Sequence, residues 1–436
     1  MSAELISILV LVVVFVVATT RSINMGVLAF AAAFGVGTLV AGMDAKGIFE
    51  GFPGDLFVVL VGVTFLFAIA RANGTTDWLV HAAIRVVGGR IALIPWVMFV
   101  ITAALTAIGA VSPAAVAIVA PIALGFAAQH DISPLLMGAM VVHGAQAGGF
   151  SPISIYGSIV NGIVARENLA GSEVVLFLAS FLVNLVIALI VFVVFGGLKL
   201  VRTRVPATLA TTSGGPGAAK ALTAAQEEGA DETDEAPRLT PVRLATLVSL
   251  AALVVGALAF GLDVGFTAIT LAVLLSVVWP DTSKRAINEI TWPTVLLICG
   301  VLTYVGVLQE MGTIDYAGNA VGNVGIPLIA ALLLCYIGAI VSAFASSVGI
   351  MGALIPLAVP FLAQGSIGPI GMIAALAVAS TVVDVSPFST NGALVLANAR
   401  DVDRDRFFRQ LLVYGGVIVA AAPAAVWLLL IVPGFG

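Results

Sequence analysis

Two long apolar stretches of this chain are each interrupted by the same pattern, Ser-Pro-x-Ser-x-x-Gly. The first runs Ser151-Pro152-Ile153-Ser154-Ile155-Tyr156-Gly157. The second, in the other half of the chain, runs Ser386-Pro387-Phe388-Ser389-Thr390-Asn391-Gly392. Proline removes a backbone donor and glycine weakens a helix, so neither stretch can continue as one unbroken helix. In hydrocarbon, such a break is tolerated only where it is buried in protein or lines a wet cavity. One break fits a packing kink. Two, at matching places in two halves of a chain, point to the binding site of a transporter.

The surrounding sequence requires a membrane. Of 436 residues, 61% are hydrophobic and 9% charged, and the mean hydropathy is +1.18. A soluble fold cannot bury that much apolar surface. The apolar runs do not alternate with period two, which selects helices over a barrel. A net charge of −5 without a basic stripe excludes a nucleic-acid partner. Cys299 and Cys335 lie in apolar segments outside any metal-ligand spacing and read as buried structural thiols. Three histidines with no His-Glu-x-x-His, and no nucleophile–base constellation, give no basis for an enzyme.

The chain divides into a first transmembrane repeat at 1–201, a linker at 202–241 and a second repeat at 242–436. Residues 5–19 lack a basic leader and an Ala-x-Ala site, so they are expected to remain as a helix. Spans follow near 24–43 and 55–72, then an amphipathic piece at 75–90 suited to the interface. Two arms at 91–128 are interrupted at Ser112-Pro113; the broken segment 134–165 and a span at 173–199 complete the half. The linker is rich in Ala, Thr, Gly and Pro and carries six acids between Glu227 and Glu235, the composition of a disordered tether. The second half follows the same order, with arms at 326–364, a broken segment at 368–398 and a last span at 410–432. Gly74-Thr75-Thr76-Asp77 answers Gly312-Thr313-Ile314-Asp315, and Pro121 through Gln129 answers Pro356 through Gln364. The chain is one duplicated unit.

Basic residues set the orientation. If each pair of arms enters and leaves by one side, 16 of the 18 Lys and Arg fall on one face, leaving Lys46 and Arg166 on the other. The crowded face is cytoplasmic, which puts both termini outside and the linker inside. An odd number of crossings per half makes the halves antiparallel. The expected fold is therefore an all-α integral membrane protein of two inverted-topology repeats. Each has five spans plus one re-entrant hairpin, with broken helices at the midplane. The second arms, about 15 residues each, are short for a full crossing, which favours re-entrant hairpins.

A broken helix offers free N–H groups at one end and free carbonyls at the other, suited to a carboxylate and a cation respectively. Deep inside the spans there is no Lys or Arg, so an anionic substrate would be neutralised by helix ends and a co-transported cation, Na+ or H+. The residues assigned to substrate are Ser112, Ser154, Ser347, Ser389, Thr390 and Asn391; those assigned to the cation are Gly149, Ser151, Ser346, Asp384 and Ser386. An isolated membrane serine usually back-bonds to its own helix, but clustering at a repeated break favours function. Asp384 is the one acid deep in the second broken segment, and a carboxylate there is costly and functional by default. His143 and Gln146 hold the comparable place in the first half; a lone membrane histidine is more often a packed hydrogen-bonder than a switch.

Gly109-Ala110-Val111-Ser112-Pro113 through Pro121, with Gly148-Gly149 and the first break, is similar to the divalent-anion/sodium symporter fold of the ion transporter superfamily. That family carries Ser-Asn-Thr at each hairpin tip; Val111-Ser112-Pro113 and Ser346-Ser347-Val348 stand there in this chain. Residues 1–165 more closely resemble dicarboxylate carriers of the MatC type, associated with malonate uptake. The resemblance rests on Gly51-Phe52-Pro53-Gly54-Asp55-Leu56-Phe57, Asn73-Gly74-Thr75-Thr76-Asp77-Trp78-Leu79, Ser112-Pro113-Ala114-Ala115 and His143-Gly144-Ala145-Gln146-Ala147-Gly148. It implies a multi-pass carrier in a bacterial inner membrane that takes a small dicarboxylate, of malonate or C4 type, with Na+ or H+. The partners implied are the anion and the lipid bilayer, with a homodimer left open. The rival reading is the membrane subunit of a binding-protein-dependent (TRAP-type) dicarboxylate transporter.

Overall fold

The computed structural model describes residues 2–21, 23–85, 91–202, 239–314, 316, 327–343, 347–363, 367–399 and 402–434. Ser346 and linker residues 203–238 lie outside the described residues. Among those described, the regular structure is helical throughout. The first half contributes α1 (Ala3–Arg21), α2 (Met25–Leu39), α3 (Ala45–Glu50), α4 (Gly54–Ala72) and α5 (Thr75–Arg85). Next come α6 (Ile94–Ala107), α7 (Ser112–Gln129), α8 (Pro134–Gly148), α9 (Ile155–Arg166), α10 (Glu173–Val194) and α11 (Gly197–Arg202). The second half opens with α12 (Pro241–Phe260), α13 (Val264–Val278), α14 (Pro280–Ala286) and α15 (Trp292–Glu310). It continues through α16 (Pro327–Ser342), α17 (Ser347–Ala363), α18 (Pro369–Val382), α19 (Thr390–Asn398) and α20 (Arg404–Val426). Among the described residues six helices, α4, α7, α10, α12, α15 and α20 with the turn that extends it to Ile431, are long and apolar enough to cross a bilayer.

Local chemistry accounts for where these helices start. Asn24, Asp44, Ser133, Ser172, Thr240, Asp263 and Asp403 each accept a backbone N–H in the first turn of the helix they cap. Proline sits in the first turn of α6, α7, α8, α12, α14, α15 and α18, where its missing N–H has no helical partner to lose. Ser112-Pro113 separates the two arms as expected, opening α7 after α6 ends at Ala107, and Pro121 is carried inside α7. The second arms are longer than expected, 18 residues in α7 and 17 in α17.

The halves interlock by exchanging equivalent contacts. At the crossing of α2 with α15, a Cβ on Gly26 would lie 1.9 Å from the Leu296 carbonyl oxygen, and one on Gly300 would lie 2.0 Å from that of Gly26. At the crossing of α13 with α4, a Cβ on Gly62 would lie 2.6 Å from the Gly265 carbonyl oxygen. These distances are far inside van der Waals contact, so both crossings need glycine. In the register of the repeat Gly265 is the counterpart of Gly26 and Gly300 that of Gly62, so each half gives the other what it receives. A neighbouring pair of contacts is similar without being identical: Ser7 on α1 meets Thr313 at 2.9 Å, while Thr246 on α12 accepts at 2.8 Å from the side chain of Asn73, which in turn accepts from the Thr75 hydroxyl.

Candidate functional site

The two breaks are built by one set of hydrogen bonds. Ser154 caps α9: its hydroxyl donates to the Gly149 and Ser151 carbonyls and accepts from Gly157 N at 3.1 Å. Ser389 caps α19: its hydroxyl donates to the Asp384 and Ser386 carbonyls and accepts from Gly392 N at 3.3 Å. Every donor and acceptor in the second set follows its counterpart in the first at the offset that separates Ser386 from Ser151. The closing glycine is obligatory in both, because a Cβ on Gly157 would lie 2.0 Å from the Ser151 carbonyl oxygen and one on Gly392 1.9 Å from that of Ser386. In this register the counterpart of Asp384 is Gly149. Gln146 corresponds to Thr381 and His143 to Val378, which corrects the pairing of Asp384 with His143 and Gln146.

A buried polar cluster lies where the second break meets the first half. Asp384, 4% exposed, sits between α18 and α19. Its Oδ2 accepts from Gln146 Nε2 on α8 at 2.9 Å and from Asn391 Nδ2 on α19 at 3.3 Å. Asn391 Nδ2 also donates to Ser112 Oγ, at the tip of the first hairpin, at 2.8 Å. Ser347, at the start of α17, is a further hydrogen-bonding neighbour of the Asp384 carboxyl and accepts from Ser342 at 2.8 Å. The serines that begin α7 and α17 thus lie about one carboxylate, Ser347 beside it and Ser112 through Asn391. Gln146 Oε1 and Asn391 Oδ1 are buried without a hydrogen-bond partner among the described residues. Leaving such an oxygen unpaired costs about 1–3 kcal/mol, and here two belong to the residues that hold Asp384. The cluster is rich in oxygen and contains no side-chain cation, a donor set suited to a small hard cation or a proton.

The other expected site residues divide by role. Ser154 and Ser389 spend their hydroxyls on their own breaks, and Ser151 donates to the Ala107 carbonyl, tying the first break to α6. Ser386 accepts from Phe388 N at 3.3 Å. Gly149 is buried at the end of α8, whereas Thr390 is exposed on the first turn of α19. His143, fully buried, bonds Asn184 Oδ1 through Nδ1 at 2.8 Å and the Tyr414 hydroxyl through Nε2 at 2.6 Å. An amide oxygen only accepts, so Nδ1 carries a proton, and in the neutral ring Nε2 then accepts from Tyr414. This is a satisfied neutral histidine that pins α8 to α10 and α20. Its partners lie far away in the sequence, and no local pattern marks them.

Gln146 and Ser112 belong to the part of the chain that known proteins illuminate. Residues 1–149, about a third of the sequence, match a family model described as "Dicarboxylate carrier protein MatC N-terminus". No curated protein matches the chain. Over these residues the chain is similar to the MatC-type dicarboxylate carriers, a family of transporters and not of enzymes.

Proposed function

We propose that this protein is a secondary active carrier of a small dicarboxylate, malonate or a C4 acid, driven by Na+ bound at Asp384. The observation that carries the reading is the cluster itself: a buried carboxylate held from both halves by Gln146 and Asn391, with Ser112 accepting from Asn391 beside it. An ionised carboxylate away from water costs several kcal/mol unless it is paired. The Gln146 and Asn391 NH2 groups partly compensate that charge, and each leaves its own oxygen orphaned. A cation at Asp384 reverses the preference: the amides would turn their oxygens inward, and both the charge and the orphaned acceptors would be satisfied. Na+ suits this set better than H+, because a proton serves one oxygen whereas Na+ takes several. The bound cation and the ends of the broken helices would then supply the positive field that a dianion needs.

The exchanged contacts support a two-fold relation between the halves. With an odd number of crossings in each half, that relation makes them inverted repeats, the arrangement behind alternating access in many carriers. In this reading α6–α7 and α16–α17 are hairpins whose tips, at Ser112 and Ser347, reach the midplane from opposite sides. The charge bias assigns the Arg71 face to the cytoplasm, in a bacterial inner membrane.

The test is uptake of radiolabelled malonate and succinate into proteoliposomes, with Na+ and pH gradients imposed separately. Saturable uptake that follows the Na+ gradient is expected. Full-rate uptake without Na+, stimulated by external acid, would replace Na+ by H+. Uptake only with an added soluble substrate-binding protein would favour the TRAP-type alternative.

A further inference from the structure

A narrow cleft separates the halves on the face that bears Arg71. It is lined by Thr64 and Phe67 of α4, Thr76 of α5, Val111 at the first hairpin tip, and Thr291 before α15. At its mouth the Arg71 guanidinium holds Glu289 across the gap between halves, Nη2 to Oε2 at 2.7 Å and Nε to the same oxygen at 2.8 Å. Val111, which also lines the cleft, is the residue before Ser112, whose hydroxyl belongs to the Asp384 cluster. The space inside is about 30 Å³, enough for one water and far too little for a dicarboxylate.

Three features suit this mouth to an incoming anion. Both partners are partly exposed, 41% for Arg71 and 38% for Glu289, so the pair contributes little stability and exchanges readily. Arg71 directs Nη2–H and Nε–H at one oxygen of Glu289, a charge-assisted contact that an incoming carboxylate can take over. The Thr76 hydroxyl lines the same cleft, is fully buried, and has no hydrogen-bond partner among the described residues.

We propose that Arg71 and the Thr76 hydroxyl form an outer docking site for one carboxylate of the transported dicarboxylate, with the Glu289 carboxylate as its stand-in when the cleft is closed. The inference rests on the carrier reading. The arriving carboxylate displaces that of Glu289 from Arg71, which releases the side-chain ion pair between α4 and the segment before α15. The displaced Glu289 swings toward water, and Thr76 donates to the substrate as the cleft widens toward Ser112. No bond is made or broken covalently. The site supplies the fixed positive charge that the Asp384 cluster lacks, at a place where it steers the anion without trapping it.

The experiment compares succinate KM and maximal rate for wild type, Arg71→Gln, Glu289→Gln, the double variant and Thr76→Val, in vesicles loaded so that substrate meets the Arg71 face. Removing a charged hydrogen-bond donor from a carboxylate should raise KM roughly ten-fold in Arg71→Gln. The double variant should keep that defect, while Glu289→Gln alone should show an unchanged or lower KM. Thr76→Val, which preserves shape, should raise KM by about three-fold, a smaller loss than the charged contact. Wild-type KM in the double variant would overturn the docking site, since Arg71 and Glu289 would then serve only each other. Wild-type KM in Arg71→Gln would overturn it equally, with the carrier reading intact. A wild-type protein that moves no dicarboxylate would instead remove the carrier reading, and this site with it.

Discussion

The carboxylate of Asp384, in the second half of the chain, takes a 2.9 Å hydrogen bond from the side-chain amide of Gln146, in the first. The bond joins α8, which leads into one broken helix, to the break of the other. Any motion that separates the halves at the centre must stretch it. Whatever binds Asp384 therefore acts on the tie between the halves as well as on a local charge, which is how an ion can bias two states of a carrier.

Asp384→Asn should raise the Na+ concentration for half-maximal uptake by roughly ten-fold or more and make the Na+ dependence shallower. The substitution keeps the shape and removes the charge. Na+-titrated malonate uptake in proteoliposomes is the measurement. An unchanged half-maximal concentration would move the ion to another site.

Asn391 and Ser389 are close neighbours in the chain and should fail differently. Asn391→Ala removes donors from Ser112 and Asp384, so it should lower uptake by about ten-fold with expression intact. Ser389→Ala removes a helix cap, a loss of about 1 kcal/mol in stability. It should lower the melting temperature in detergent and leave substrate KM near wild type for the protein that remains folded. A raised KM in Ser389→Ala with unchanged stability would return that hydroxyl to the substrate.

The helices and breaks are legible in the sequence because apolar length, proline and glycine act locally. Ser133-Pro134 and Thr240-Pro241 each announce a cap and a first turn in a single dipeptide. The wiring of the site is much less legible. Ser154, Ser389 and Asn391 look alike as polar side chains in a break, yet two serve the backbone and one reaches Ser112 in the other half of the chain. The repeat offered more than a reading by nearness extracts from it. Stepping back from Asp384 by the offset between Ser386 and Ser151 gives Gly149, so the acid is an addition to one break and has no counterpart in the other. Pro121 shows the converse, since a proline that would end a soluble helix is carried inside α7.

Gly392→Ala tests whether the second break is a rigid part of the site. Its Cβ would fall 1.9 Å from the Ser386 carbonyl oxygen and 2.7 Å from that of Val385, both backbone atoms that cannot swing aside. The loop carrying Asp384 would have to open. Transport should be abolished and the melting temperature should fall, whereas Gly416→Ala, with open space at its Cβ, should leave both unchanged. Wild-type transport in Gly392→Ala would mean that the break does not hold Asp384 in place.

Lys46 and Lys284 decide the orientation of the halves. They are equivalent positions, at the offset that also relates Gly74 to Gly312, in short helices that follow the second helix of each half. A parallel duplication would put both on one side of the membrane, and an inverted one would put them on opposite sides. The charge bias assigns Lys46 to the outside and Lys284 to the cytoplasm. Both lysines are exposed, while the native Cys299 and Cys335 are buried and give little background. In intact cells a membrane-impermeant maleimide should therefore label Lys46→Cys and spare Lys284→Cys until the membrane is opened. Labelling of both in intact cells, or of neither, would make the repeats parallel and sink the inverted arrangement. The opposite pair of results would keep the inversion and turn the protein over, so that the Arg71 cleft would face the outside.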